Sequence, residues 1–306
     1  MAIERVGTIV DLWRFPVKSM LGERVETAEA TEVGIVGDRA YALIDRQTGK
    51  VVSAKHPRLW PDLFGCRAHY PRPPQAGQPL PPVRIDLADG TSLRSDDADV
   101  DAALSRFFGR EVHLARLAPA DYTIDEYHPD IERLNPAGER DVLVEMKLGS
   151  ALFALLGWPS AIPEGSFMDL FPVSILTTST LNHLAGLAPD SDFDFRRFRM
   201  NLIIETSATG FAENTWVGSA LHIGDEVEFA VPLPTPRCVM TTLAQEELSA
   251  DPGVLRTIVK NNRLALRDVG KYPCAGAYAT TTRAGTIRTG DTVALARVRD
   301  EEQVLR

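Results

Sequence analysis

Short β-branched runs, broken every few residues by glycine or proline, recur along this chain of 306 residues. Two of them share one pattern, in which an apolar run is followed by Gly-Asp and a second apolar run: residues 222–229 (HIGDEVEF) and 288–295 (RTGDTVAL). Runs of this length are typical of strands that are joined by tight turns. The sequence therefore predicts a mostly β fold with a few helices (α+β), arranged as barrels.

The first third of the chain carries most of the early strand signals. Strand-like runs lie at 7–17, 24–34 and 38–54, and hairpin turns are predicted at 45–50 (DRQTGK) and around 88–90. Residues 70–82 are too rich in proline for a central strand. Helices are predicted over 97–108 and 252–262, and a third begins after residue 177, with Thr178 or Ser179 as its cap and Gly186 at its end.

The middle of the chain is the least regular part. Residues 115–145 are acidic and carry three prolines, so we expect a long connection there. The domain boundary is placed near it, which gives domains 1–125 and 126–306. Residues 148–162 form a long stretch without acidic, basic or histidine residues, but this stretch is shorter than the ~20 residues of a membrane span and contains Pro159. It predicts a core helix or a pair of strands.

Charge and cysteine content restrict the class of partner and the compartment. The net charge of −9 argues against general binding to nucleic acid or to anionic membranes. Three cysteines without a CxxC pair suggest no structural zinc or iron–sulfur site, and they fit a reducing cytoplasm. The N-terminus has no apolar run like that of a signal peptide. No GxGxxG or GxxxxGK[ST] phosphate loop occurs.

Cys238 follows Pro234, Pro236 and Arg237 in LPTPRCVMTT. A cation beside the sulfur favours the thiolate, the form that attacks electrophiles and binds soft metals. Arg237 therefore makes Cys238 a candidate ligand or nucleophile. A small buried side chain at the start of a strand explains the same residue equally well.

Three other positions are candidates for holding an anion. Lys18-Ser19 precedes a turn in FPVKSM, Arg39 follows a glycine turn, and Arg199 belongs to the arginine cluster of FDFRRFRMN. Guanidinium groups bind phosphate in a bidentate way, which makes such a cluster a possible phosphate site. Each of the three, taken alone, is also explained by a solvated turn or a charged strand edge.

Six stretches in one order resemble the MOSC family, named for the C-terminal domain of molybdenum-cofactor sulfurase, preceded by its N-terminal β-barrel partner domain. The stretch RFPVKSMLGERVETAEATEVGIVGDRAYALID resembles the start of the N-terminal barrel. The stretches DLFPVSILTTSTLNHL, FRRFRMNLIIE, FAENTWVGSALHIGDEVEF, PRCVMTT and GTIRTGDTVAL resemble successive parts of the MOSC domain. The resemblance implies a β-barrel-like N-terminal domain packed on a MOSC β-barrel.

Members of this kind include the amidoxime-reducing component and bacterial reductases of N-hydroxylated compounds. The resemblance implies a molybdenum cofactor whose pterin carries a phosphate, with Cys238 as the thiolate ligand of molybdenum. It also implies cofactor contacts for eight further residues. These are Lys18, Ser19, Arg39, Ser174, Thr177, Arg199, Asn201 and Arg237. No role is implied for Cys274.

Two main functions remain open from the sequence. In the first, the chain reduces a small N-hydroxylated molecule with electrons from a separate reductase, a flavin or iron–sulfur protein. In the second, Cys238 carries a persulfide that it receives from a cysteine desulfurase. A cofactor carrier without turnover, or a specialised biosynthetic reaction, uses the same residues. The physiological substrate is not predicted.

Overall fold

A computed structural model describes residues 3–297, and within them the chain forms twenty β-strands and four α-helices. The strands are β1 (Ile3–Arg14), β2 (Glu23–Arg24), β3 (Thr27–Thr31), β4 (Gly34–Ile35), β5 (Ala42–Asp45), β6 (Arg67–His69), β7 (Arg84–Asp86), β8 (Ser92–Arg94), β9 (Val112–Ala115), β10 (Thr123–His128), β11 (Val142–Lys147), β12 (Val173–Thr177), β13 (Leu202–Glu205), β14 (Ala220–Ile223), β15 (Val227–Ala230), β16 (Pro234–Pro236), β17 (Arg263–Ala265), β18 (Lys271–Arg283), β19 (Gly285–Arg288) and β20 (Thr292–Ala296). The helices are α1 (Val100–Phe108), α2 (Ser150–Leu156), α3 (Thr178–Leu187) and α4 (Pro252–Asn261). The prediction of a mostly β fold is confirmed.

Seven strands close into a barrel in the order β12–β13–β1–β20–β14–β15–β18, and β18 pairs back with β12. The β12–β13 pair is parallel, and the other pairs of this ring are antiparallel. Closure leaves none of the seven with an open edge. Inward-facing aliphatic and aromatic side chains such as Ile175, Phe229 and Val293 fill the interior and are fully buried.

A second core lies between residues 17 and 114. It is built on the sheets β6–β7–β8 and β5–β9 and on helix α1, and it buries Met20, Leu43, Phe64 and Leu104. The division into domains 1–125 and 126–306 stays a prediction. Strand β1 of the first segment pairs with β13 and β20 of the second, and β10 runs across the proposed boundary.

The segment 115–145, expected to be a long connection, contains the antiparallel hairpin of β10 and β11. The pattern concealed this hairpin because two of the three inward positions of β10 are polar. Ile124, Glu126 and His128 alternate on the buried face, so the usual alternation of apolar and polar residues is absent. A connection was therefore predicted where a strand with a mostly polar buried face lies.

The helices begin and end close to the predicted positions, with one difference that matters for the site. The cap of α3 is Thr177, whose hydroxyl accepts from the backbone N–H of Thr180; the predicted caps Thr178 and Ser179 lie inside the helix. Residues 150–156 form helix α2, which Gly157 ends in a left-handed conformation. In the described part of the chain, no helix is long and apolar enough to cross a membrane.

A buried carboxylate joins α3 to the barrel. Glu213 is completely buried and accepts from the hydroxyls of Thr177 (2.6 Å) and Thr180 (2.7 Å) and from the backbone N–H of Gly276 (2.7 Å). Burial raises the pKa of Glu213 above its ordinary value, although these three donors oppose the shift. The carboxylate therefore acts as the common acceptor for two barrel strands and one helix.

Replacing Glu213 by alanine is expected to lower the free energy of unfolding by about 3 kcal/mol or more, because three buried donors lose their acceptor. Urea unfolding followed by circular dichroism measures the change. Glu205→Ala, at the exposed end of β13, is the matched control and should shift the free energy by less than about 0.5 kcal/mol. Equal effects of the two substitutions would contradict this role of Glu213.

Candidate functional site

A cavity of about 290 Å³ lies where the turn after β1, the segment 146–171 and the barrel strands β12 and β18 meet. Eight of the nine predicted site residues line it, although they come from distant parts of the chain. These are Lys18, Ser19, Arg39, Ser174, Arg199, Asn201, Arg237 and Cys238. The cationic side chains and the thiol that the sequence singled out separately thus face one volume.

Three of these residues adopt a backbone conformation that side chains other than glycine rarely take. Ser19, Arg39 and Arg199 have positive φ values of 66°, 46° and 53°. Each such conformation costs on the order of 1 kcal/mol, and it persists where the surroundings impose it, often at binding sites. That three of them line one cavity indicates a backbone shaped to present groups to a ligand.

Arg39 belongs to a network that also fixes its neighbours. Its guanidinium pairs with Asp38, and its Nη2 donates to the carbonyl of Arg199 at 3.0 Å. Asn201 donates to Asp38 Oδ2 (3.1 Å), and its side-chain oxygen accepts from the hydroxyl of Ser174 (2.9 Å). Asn201 and Ser174 therefore hold the strand ends and the arginines in place, while their own polar groups are already engaged.

Arg199 differs from Arg39 because it has no carboxylate partner within residues 3–297. Its Nη1 donates to the carbonyl of Met20 at 2.7 Å, and its guanidinium stacks on Phe15 and Phe64. Burial, with Arg39 nearby, lowers the pKa of Arg199 to about 9. A buried cation in this position is costly unless an anion compensates it.

Lys18 and a residue that the sequence did not single out, Lys55, share one carboxylate. Lys18 pairs with Asp169 and donates to the carbonyl of Phe167 at 2.8 Å, while Lys55 lies 3.1 Å from Asp169 and 3.1 Å from Glu126. Burial lowers the pKa of Lys18. Burial alone would lower that of Lys55 too, but Asp169 and Glu126 outweigh it and hold the pKa well above its ordinary value. Both lysines line the cavity.

The environment of Cys238 differs from the sequence-based expectation. The guanidinium of Arg237 turns away from the sulfur and donates to the carbonyls of Ala275 (2.8 Å) and Phe198 (3.0 Å). Burial, with Glu126 adding to it, raises the pKa of the Cys238 thiol to about 11, and Lys55 is the cation that opposes this. Arg237 therefore supports the loop, and the thiol needs a metal or another electrophile to lose its proton.

Besides its cations, the lining of the cavity has a large apolar part. Side chains of the segment 146–171 form most of it, and Tyr278 of β18 completes it. Leu152 and Phe153 reach it from α2, and Trp158 follows this helix. One half of the cavity thus suits an anionic group, and the other suits an uncharged organic group.

Thr177 is the one predicted site residue that does not line the cavity. It is fully buried, and its hydroxyl is engaged by Glu213 and by the cap of α3. Its predicted contact with a cofactor stays a prediction. Lys55, Glu126 and Asp169 line the cavity but were missed, because single lysines and acids in unremarkable sequence give no local signal.

Fold and cavity together define a mostly β protein with a cationic pocket and one thiol facing it. The model of the MOSC domain matches residues 164–294, and that of the MOSC N-terminal beta barrel domain matches residues 6–71. The chain belongs to the family of MOSC domain proteins that carry this N-terminal barrel domain, as its sequence predicted. Residues 72–163 lie between the two matched segments.

Similar proteins extend the comparison over almost the whole chain. The mitochondrial amidoxime-reducing component 1 of Mus musculus is 25% identical over 316 residues, covering 96% of this chain and 83% of the mouse protein. The mitochondrial amidoxime reducing component 2 of Bos taurus is 25% identical over 308 residues, covering 95% of this chain and 84% of the bovine protein. The YUAD protein of Bacillus subtilis has a TM-score of 0.42 at 10% identity, covering 97% of this chain and 98% of that one, and no conclusion about function follows from it.

Proposed function

We propose that this protein is a molybdenum-cofactor-binding oxidoreductase that reduces N-hydroxylated compounds with electrons from a separate flavin or iron–sulfur reductase. Membership of the MOSC family and the similarity to amidoxime-reducing components support this proposal. The observation that carries it is the cavity itself, which places two groups against one volume: the guanidinium of Arg199, which has no carboxylate partner among residues 3–297, and the thiol of Cys238.

The residues present fit a cofactor that joins a phosphate to a thiophilic metal. Arg199 lacks a carboxylate partner in the described part of the chain, and the hydroxyl of Ser19 makes no hydrogen bond to any of residues 3–297. A phosphate would compensate the charge of Arg199 and accept from Ser19, with Lys18 and Arg39 completing the set of donors. Cys238 would supply the thiolate to molybdenum.

When bound, the cofactor supplies two-electron redox chemistry at molybdenum. The chain's own residues bind the cofactor, orient the substrate and shield both from water. Arg39 and Arg199 hold the anionic end, Asn201 and Ser174 fix the strands that carry them, and the apolar wall around Leu152 receives the organic part of the substrate.

Nothing in the site favours the alternative in which Cys238 carries a persulfide. A sulfur carrier needs an accessible thiol with a low pKa, whereas burial raises the pKa of Cys238 to about 11. Mass spectrometry distinguishes the two functions. A persulfide on Cys238 in protein that holds no molybdenum would count against the reductase.

The function is tested with protein produced in cells that make abundant cofactor. Purified protein should contain molybdenum and reduce a benzamidoxime to the amidine with reduced methyl viologen as the electron source. Protein with a full complement of cofactor and no turnover would point to a carrier instead. We propose a cytoplasmic location; Cys66, Cys238 and Cys274 form no disulfide, which is compatible with a reducing compartment.

Lys18→Ala is expected to lower the molybdenum content of purified protein about tenfold, because the phosphate loses a charged donor. Metal analysis after gel filtration measures the loss. Lys260→Ala, at an exposed position of α4, is the control and should leave the content unchanged. If Lys18 only pairs with Asp169 and contacts no phosphate, the two variants will retain equal amounts of molybdenum.

A further inference from the structure

We infer that Glu139, His128 and Glu126 form a proton-delivery path that leads from the protein surface to Lys55 at the wall of the cavity. All three belong to the segment between the two parts of the chain that match the family models. Because it supplies protons to the reduction proposed above, the path rests on that proposed function.

The reduction needs such a supply. Breaking the N–O bond of an N-hydroxylated compound takes two electrons, here from a reduced flavin or iron–sulfur protein, and two protons. One proton joins the departing oxygen, which leaves as water, and the other joins the nitrogen, which leaves as the amine or imine. Much of the cavity wall is apolar, so the ionisable side chains that line it are the protein groups suited to deliver these protons.

The inner half of the path is held by strand β10. Glu126 and His128 stand two residues apart and therefore point to the same, buried face. Glu126 lines the cavity, and its Oε2 lies 3.1 Å from Lys55 Nζ. Its Oε1 lies 3.9 Å from His128 Nε2, a gap that a small rotation of either side chain or one bridging water closes.

The outer half reaches solvent through the loop after β10. Nδ1 of His128 lies 3.0 Å from Glu139 Oε2, and the side chain of Glu139 is 40% exposed. Asn135 fixes this acid, since its side chain accepts from the backbone N–H of Glu139 (3.2 Å) and donates to the carbonyl of the same residue (3.0 Å). The imidazole thus has one nitrogen toward the surface acid and the other toward the cavity acid.

Asn135 is the one further polar contact of the imidazole in the described part of the chain, with its Nδ2 lying 3.1 Å from His128 Nδ1 beside Glu139. The described residues place no arginine in an ion pair with Glu126, His128 or Glu139. Tyr272 is the other titratable group that senses both carboxylates, and burial raises its pKa, so it stays a neutral phenol. Two acids and one imidazole arranged in series, both inner members 90% buried, are unusual on a strand that serves only packing.

His128→Gln is the decisive variant, because glutamine can still form hydrogen bonds but cannot pass on a proton. With saturating benzamidoxime and reduced methyl viologen, kcat is expected to fall at least about tenfold, with KM and molybdenum content unchanged. The solvent deuterium isotope effect on kcat should rise, because proton delivery becomes rate-limiting. Glu126→Gln should act in the same direction, and His183→Gln, an exposed residue of α3, should change nothing.

Chemical rescue by imidazole distinguishes a role of His128 in proton delivery from a purely structural role. Adding imidazole to His128→Ala should restore turnover, and a series of substituted imidazoles of similar size should restore it in the order of their acidity. Equal kcat and isotope effect in wild type and His128→Gln, or rescue that ignores the acidity of the imidazole, would overturn the path while the reductase stands. A wild-type protein that holds molybdenum but reduces no N-hydroxylated compound would overturn both.

Discussion

Replacing Arg199 by leucine is expected to remove the cofactor without destabilising the fold. The guanidinium of Arg199 is buried, has no carboxylate partner within residues 3–297, and has its pKa lowered to about 9 by burial and by Arg39. Removing this charge relieves a desolvation cost in the cofactor-free protein and removes a main phosphate donor. Molybdenum content should fall at least about tenfold, and the urea midpoint of the cofactor-free protein should stay equal or rise.

Arg197→Leu is the matched contrast, two residues away. Arg197 is also buried, but its guanidinium donates to three backbone carbonyls, those of Asp192 (2.9 Å), Leu243 (3.2 Å) and Ser249 (2.8 Å). Its loss leaves these acceptors unpaired, so the free energy of unfolding should fall by about 3 kcal/mol or more. If Arg199→Leu destabilises the cofactor-free protein as much as Arg197→Leu, the interpretation of Arg199 as an anion ligand is wrong.

Cys238→Ser is expected to reduce kcat/KM for benzamidoxime by about a thousandfold or more. Serine keeps nearly the shape of cysteine but offers a hard, protonated oxygen to a thiophilic metal, so several kcal/mol of stabilisation at the reacting centre are lost. Steady-state kinetics with reduced methyl viologen measure this ratio.

Two other cysteines provide the controls for this prediction. Cys66 and Cys274 are buried in the core, where burial raises the pKa of each thiol to about 12. Their serine variants should lose some stability but keep kcat/KM within about threefold of wild type once folded. A Cys238→Ser variant as active as Cys274→Ser would exclude the thiolate ligand.

The class of the fold was predictable because it depends on local signals. Glycine-broken β-branched runs and turn residues identified the strands, the hairpin at 88–90 and the helix that Gly109 ends. A barrel was predicted from these runs, but the order of its seven strands was not. The same Gly-Asp pattern joins β14 and β15 directly, whereas it separates β19 and β20, which pair with different strands. Local sequence sets the turn, and packing sets the partner.

The site was predictable where its residues form short motifs. Lys18, Arg39, Arg199 and Cys238 belong to such motifs, and the fold brings all four to one cavity. What individual residues do there depends on side-chain direction, which sequence spacing does not reveal. Arg237 is adjacent to Cys238 in sequence but turns away from it.

The residues that were missed are isolated in sequence. Lys55 and Asp169 are more than a hundred positions apart and meet only in the fold. Strand β10 was not predicted because two polar side chains, those of Glu126 and His128, occupy its buried face. A search for alternating apolar residues does not identify a strand whose buried face is mostly polar.

X-ray absorption at the molybdenum edge, on wild type and Cys238→Ala prepared side by side, tests the central claim most directly. We expect stoichiometric molybdenum in the wild type and one fewer sulfur neighbour around the metal in whatever molybdenum the variant retains. Protein made with abundant cofactor that holds no molybdenum, or identical sulfur coordination in wild type and variant, would contradict the account.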